Sequence, residues 1–235
     1  MQLEANGATV LSIPTIEIVP PASYAPLDRA LACIDDFDWI VFTSAHAVEV
    51  FGERRNPELF PKNIAVIGPA TARAVEKLDL PVSLLPQRYI AESLAESLEQ
   101  NAAGASILLI RAEEARDVLP SALRQAACRL TIVDAYRNRI PEESISRLRE
   151  LFADPKGAPD LITFTSGSTA RNLVAILEAA GRAVPSEVVL ASIGPITSRT
   201  LRELGLEPTV EAAEATISAL VEAILHYFEQ AGQSG

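Results

Sequence analysis

Apolar residues in this chain fall into two alternating patterns. Short runs are apolar almost without a break: Trp39-Ile40-Val41-Phe42, Ile64-Ala65-Val66-Ile67, Ile107-Leu108-Leu109-Ile110, Leu161-Ile162-Thr163-Phe164 and residues 188–193. They read as strands of an open parallel sheet covered on both faces. The stretches between them, residues 27–34, 45–51, 91–98, 115–127, 168–180 and 216–228, carry apolar residues at helical spacing. Residues 82–86 and 207–210 read as short closing strands. Strand and helix in alternation predict an α/β fold.

The pattern is written twice. Ile67-Gly68-Pro69-Ala70-Thr71-Ala72-Arg73 returns 126 residues later as Ile193-Gly194-Pro195-Ile196-Thr197-Ser198-Arg199, and Phe42-Thr43-Ser44 returns 122 residues later as Phe164-Thr165-Ser166. Spacings this close mean that whole strand-helix-strand-helix units were copied in order. Each Gly-Pro copy follows a strand and opens a helix, with Pro at the first helical position, where its missing N–H costs nothing. Such a helix start offers free backbone N–H groups to a carboxylate or phosphate.

A third pair of segments sets the domain organisation. Leu123 to Cys128, then Leu130-Thr131-Ile132-Val133, matches the start of the chain, where a last helical turn ending at Gly7 precedes Val10-Leu11-Ser12-Ile13, 120 residues earlier. The later copy is preceded by a strand at residues 107–110 and a helix from about residue 115. The earlier copy has no counterpart of that strand or of most of that helix. Two long strands, through residues 10–18 and 130–139, stand where the chain passes from one unit to the other. The expectation is two similar doubly wound, flavodoxin-like parallel-sheet lobes joined by a two-stranded linker, the first lacking its leading strand and helix. Residues 1–20 with 141–235 form the first lobe and residues 21–140 an inserted second one, with a ligand cleft between them.

Composition narrows the function classes. A formal net charge of −11 argues against nucleic acid and anionic membranes as partners. No apolar stretch is long enough to span a bilayer and no signal peptide is legible, so a cytoplasmic protein is expected. A monomer is expected as well. Cys33 and Cys128 are isolated and read as small buried residues. There is no GxGxxG, no GK[ST] loop, no HExxH and no Cys/His cluster, so nucleotide, hydride and metal chemistry have no sequence support and no cofactor is expected.

What remains is a row of small polar residues at strand ends, where doubly wound folds bind ligands. Thr43, Ser44 and Thr71 belong to one lobe, and Thr165, Ser166, Ser168, Thr169, Thr197 and Ser198 to the other; Ala45, Gly68, Ala112 and Gly194 stand at the same strand ends. Ser44 and Ser166 equally suit plain helix N-caps. Arg111 ends its strand on the same edge, as a ligand for an anionic group or as a solvated arginine. His46 has no second histidine or acidic partner at ligand spacing and reads as a surface or half-buried helical residue, as does His226.

In order along the chain, Thr43-Ser44-Ala45-His46-Ala47-Val48, Ile67-Gly68-Pro69-Ala70-Thr71-Ala72, Arg111-Ala112-Glu113 with Arg116-Asp117-Val118-Leu119-Pro120, Ala135-Tyr136-Arg137, Phe164-Thr165-Ser166 and Ile193-Gly194-Pro195 resemble the successive motifs of the uroporphyrinogen-III synthases. The resemblance implies two α/β lobes on a two-stranded linker and a cofactor-free reaction. The substrate is the linear tetrapyrrole hydroxymethylbilane, which is cyclised with inversion of its last pyrrole ring and loss of water. It also implies that Tyr136 faces the substrate and gives a proton to the departing hydroxyl; simple packing of its ring in the strand is the alternative. A polar edge of this kind suits a flexible polycarboxylate. Two other classes fit the same features: a non-catalytic bilobed protein that closes on an anionic metabolite, and a sugar-phosphate or nucleotide enzyme of doubly wound fold.

Overall fold

The unbroken apolar runs become strands that are buried on both faces. A computed structural model describes residues 2–115, 117–154 and 157–233. It divides into two compact units, Met1–Glu17 with Ile140–Gly235 (unit 1) and Ile18–Arg139 (unit 2).

Unit 2 is built on β2 (Trp39–Phe42), β3 (Ile64–Val66), β4 (Ser106–Ala112) and β5 (Arg129–Arg139). The sheet order is β1-β5-β4-β2-β3, where β1 is Glu17–Val19 and the pairs β5/β4, β4/β2 and β2/β3 are parallel. Side chains alternate between the faces, as the two-residue period of a strand requires. Ile40, Phe42, Leu108 and Ile110 pack with α2 (Ala25–Ala32), α3 (Ala45–Arg54) and α4 (Pro69–Glu76). Val41, Ile107 and Leu109 pack with α5 (Ala91–Ala102) and α6 (Val118–Gln125). At the start of the sheet the Asp38 carboxylate accepts the Ser106 N–H at 2.9 Å. That bond, with Lys62 nearby, holds its carboxyl below the usual range.

Unit 1 repeats the plan with fewer strands. Its sheet is β6 (Leu161–Phe164), β7 (Val189–Ser192) and β8 (Val210–Glu211), all parallel. One face packs on α7 (Glu142–Leu151), α8 (Gly167–Ala180) and α9 (Pro195–Glu203), the other on α10 (Ile217–Gln233) with Leu3 of α1 (Gln2–Ala5).

The two units share a helix stop. Ala127 donates its N–H to Arg124 and Cys128 to Leu123; Gly7 donates to Glu4 and Ala8 to Leu3, with the same offsets 120 residues earlier. Both are Schellman turns, which need a left-handed residue after the helix. Gly7 takes that conformation at φ 86°, whereas unit 2 puts the exposed Ala127 there at φ 58°. An alanine in this region is strained by about 1 kcal/mol.

Three expectations are corrected. Residues 10–16 form no strand, and only Glu17–Val19 does. In unit 2 the partner of β5 is β4; among the described residues unit 1 has no counterpart of β4, so residues 10–16 have no ladder to join. They are held instead by Ile13 packing in the core and by the Ser144 hydroxyl, which donates to the Pro14 carbonyl at 2.6 Å. Residues 82–86 form no strand beyond a single bridge, Leu84 to Ala65. Cys33 is exposed, at the break between the end of α2 at Ala32 and the buried Ile34; Cys128 is buried.

For the same reason, among the described residues no strand pairs with β6 on its other side. Val189 and Ile193 donate to the carbonyls of Asp160 and Phe164, so alternation turns the backbone groups of Leu161 and Thr163 away from β7. Their counterparts in unit 2, Trp39 and Val41, face β4. The Leu161 and Thr163 amides are expected to exchange with solvent faster than those of Trp39 and Val41 in native-state hydrogen exchange; equal protection would show that the β6 edge is covered. Replacing Ala127 by Gly is expected to raise the unfolding free energy by about 0.5 kcal/mol, the strain relieved less the extra unfolded-chain entropy of glycine. A urea titration checks it, and no gain would mean that the left-handed alanine is unstrained.

Candidate functional site

Because β2 to β5 are parallel, their carboxyl ends meet at one edge of unit 2, and each leads into different chemistry. β2 runs through Thr43 to Ser44, whose extended backbone caps α3 and whose Oγ accepts the Ala47 N–H at 3.1 Å. β3 runs through Ile67 to Gly68, which caps α4 without a side chain, ahead of Pro69. β4 ends on Arg111 and the buried Ala112. The Arg111 side chain is 11% exposed, in ion-pair contact with Asp117 at 3.4 Å. Arg116, from the same motif, lies outside the described residues.

A bulge decides where Tyr136 points. Arg111 pairs with Asp134, but Ala112 pairs with Tyr136, so Ala135 is an extra residue in β5. Without it Tyr136 would turn to the opposite face. With it, Ala135 and Tyr136 both join the core on the α3 side. The Tyr136 hydroxyl then donates to Ser44 Oγ at 3.1 Å. Ser44 Oγ thus accepts from the Ala47 N–H and from the phenol, and keeps one O–H to donate elsewhere.

His46 is the residue that the sequence reading passed over. Its ring meets the Tyr136 ring edge to face, with centroids 4.9 Å apart and planes at 74°. Its Nδ1 lies 2.9 Å from Glu49 Oε2, an acidic partner three residues on that was taken as absent. A histidine two residues after the cap Ser44 shares the first turn of α3, and that was the available signal.

The edge of unit 1 has the same layout and different detail. Ser166 caps α8, accepting the Thr169 N–H at 3.2 Å, and its Oγ lies 2.9 Å from both Ser168 Oγ and Thr169 Oγ1. Gly194 opens α9 before Pro195. Beneath that turn the buried Ser192 hydroxyl donates to the Gly194 carbonyl and accepts the Gly194 N–H and the Ser198 O–H. Thr165 and Ser168 are exposed.

Ser44 and Ser166 are therefore N-caps, and Ser44 also receives the phenol. The hydroxyls of Thr71, Thr197 and Ser198 do not line an open surface: the three residues are 4%, 4% and 0% exposed. Each helix leaves its first N–H groups without an internal partner. In α3 and α8 a serine takes one of them, whereas α4 and α9 have no side-chain cap. Ala70 and Ile196, at the second position of these helices, are exposed. The Gly-Pro turns, more than the serine-capped starts, keep first-turn amides without a side-chain acceptor.

Known proteins share this sequence and this fold. A family model described as uroporphyrinogen-III synthase HemD matches residues 1–222. The uroporphyrinogen-III synthase of Synechococcus elongatus is 37% identical over 244 residues, covering 97% of this chain and 90% of the relative. Two crystal structures share the fold. A mutant uroporphyrinogen III synthase from the extremely thermophilic bacterium Thermus thermophilus has a TM-score of 0.62 at 22% identity, over 99% of this chain and 92% of that one. A uroporphyrinogen-III synthetase from Helicobacter pylori has a TM-score of 0.58 at 19% identity, over 90% of each chain. A model match over nearly the whole length and a relative of this identity settle the matter: the chain belongs to the uroporphyrinogen-III synthase family.

Proposed function

We propose that Tyr136 and Ser44, at the strand-end edge of unit 2, supply the proton step of the family's reaction. The enzyme is a lyase that cyclises hydroxymethylbilane in tetrapyrrole biosynthesis. The observation that carries the proposal is the Tyr136 hydroxyl held on Ser44 at 3.1 Å. As the substrate's C–O bond breaks, the electron pair leaves with oxygen, which takes the Tyr136 proton and departs as water. The spare O–H of Ser44 then donates to the phenolate oxygen.

The carboxylate arms are assigned to backbone donors and one cation. In unit 2 these are the first turn of α4, from Gly68 to Thr71, and Arg111, with Thr43, Ala45 and Ala112 shaping the edge. In unit 1 they are the Ile196 and Thr197 amides, in the turn that Gly194 opens and Ser198 closes, and the cluster Thr165, Ser166, Ser168 and Thr169. Uncapped helix starts and an Arg side chain only 11% exposed support this assignment. Holding a flexible chain in a folded arrangement is what separates inversion from direct ring closure.

The same reading treats residues 1–20 with 141–235 and residues 21–140 as the two lobes of the family plan, each doubly wound, joined by a two-stranded linker; the repeated Schellman turns support the pairing of the halves. It also takes the enzyme as a cytoplasmic monomer that needs no cofactor. Among the described residues no helix is long and apolar enough to cross a membrane.

Incubation with hydroxymethylbilane is expected to give isomer III above the spontaneous isomer I, and isomer I alone would refute the activity. Tyr136→Phe is expected to keep the fold and KM while kcat falls about ten- to a hundredfold, the lower part of the range for a general acid. Undiminished kcat in a folded Tyr136→Phe protein would leave the ring a packing role only.

A further inference from the structure

We propose that His46 is a positioning residue for Tyr136, acting on turnover through the phenol and not through the substrate. The proposal rests on the reading of Tyr136 as proton donor. Tyr136 is held at two points: its hydroxyl on Ser44 at 3.1 Å and its ring against the His46 ring at 4.9 Å. The two tethers behave differently during the reaction. To protonate the leaving oxygen, Tyr136 must redirect the O–H that it gives to Ser44, so the first tether is broken as the proton moves and re-forms, with Ser44 as donor, only once the phenolate exists. The ring contact survives that moment, because it does not use the phenol O–H.

The geometry makes His46 suited to the task. Its centroid separation and angle lie in the preferred range for edge-to-face pairs. Its own ring is fixed by Glu49 Oε2, 2.9 Å from Nδ1, one turn along α3. Ser44 caps that same first turn, so both tethers of the phenol sit on one short rigid piece of backbone. The bulge at Ala135 brings Tyr136 to that face, and His46 with Ser44 then fixes the direction of the side chain. The His46 side chain is 38% exposed, so it contributes little to the core and is open to substitution.

The test compares four variants of the full chain with wild type: His46→Ala, His46→Phe, Tyr136→Phe, and His46→Ala combined with Tyr136→Phe. His46→Ala is expected to lower kcat for hydroxymethylbilane about two- to tenfold, the worth of an aromatic pair, with KM unchanged. His46→Phe keeps an edge-on ring and should recover most of the loss. In the Tyr136→Phe background the same His46→Ala change should have no further effect, because coupled residues do not add. An equal fall in both backgrounds, a change in KM alone, or no loss in His46→Ala overturns the proposal. A second readout needs no activity. With ring-labelled tyrosine, His46→Ala should shift the NMR signals that Tyr136→Phe removes and leave those of Tyr24, Tyr89 and Tyr227 in place. If wild type makes no isomer III, the reading of the reaction fails and this spectrum alone decides the contact; an unmoved Tyr136 signal refutes it.

Discussion

A strand that is apolar on both faces is stable only where a neighbour takes its backbone groups on each side and helices cover it above and below. That constraint organises the molecule. β2 and β4 meet it fully in unit 2, with Val41, Ile107, Leu109, Phe42 and Ile110 at or near zero exposure. Parallel pairing then requires every strand to end on the same side and every connection to begin there. Helix starts, the cap serines, the Gly-Pro turns and the bulged end of β5 share an edge for that reason, before any chemistry is asked of them.

Duplication supplied two such edges, and they have diverged in kind. Ser44 and Ser166 cap their helices alike. Only Ser44 receives a phenol; the position 120 residues before Tyr136 is Ile16, which is 46% exposed. Beneath the Gly-Pro turn of unit 1 lies a sealed Ser192-Ser198 network, where unit 2 has Val66 and Ala72 at the corresponding places. One copy thus carries a residue able to move a proton, and the other has invested its polar atoms in stiffening a turn. The duplicated plan lets the two edges be tuned separately.

What could be read in advance was what depends on near neighbours in sequence. The alternation of strands and helices, the repeat, the Gly-Pro helix starts and the family motifs are all local. The failures share one cause. Residues 10–16 carry a strand pattern, but pairing is decided by a distant partner. The bulge at Ala135 appears only when β5 is laid against β4, so nothing in Asp134-Ala135-Tyr136 announces which face the phenol takes. Hydroxyl direction at Thr71, Thr197 and Ser198 depends on packing beneath the turn. His46 is half-buried on a helix as expected, but its neighbours are a carboxylate three residues on and an aromatic ring from a distant strand.

The open side of β6 bears on how this protein behaves in company. An edge strand with unpaired backbone groups is a template for pairing with another chain, and sheet proteins usually guard it with a lysine, a proline within the strand or a bulge. Leu161-Ile162-Thr163-Phe164 has none of these. Among the described residues, the guards that remain are its shortness, four residues, and long-range repulsion between copies from a net charge of −11. Salt at the physiological level screens such repulsion beyond about 8 Å, while the buried sheets are indifferent to it. Colloidal stability and folding stability therefore answer to different variables here: ionic strength and protein concentration govern the first, and light scattering against added salt reads it without a change in the melting curve.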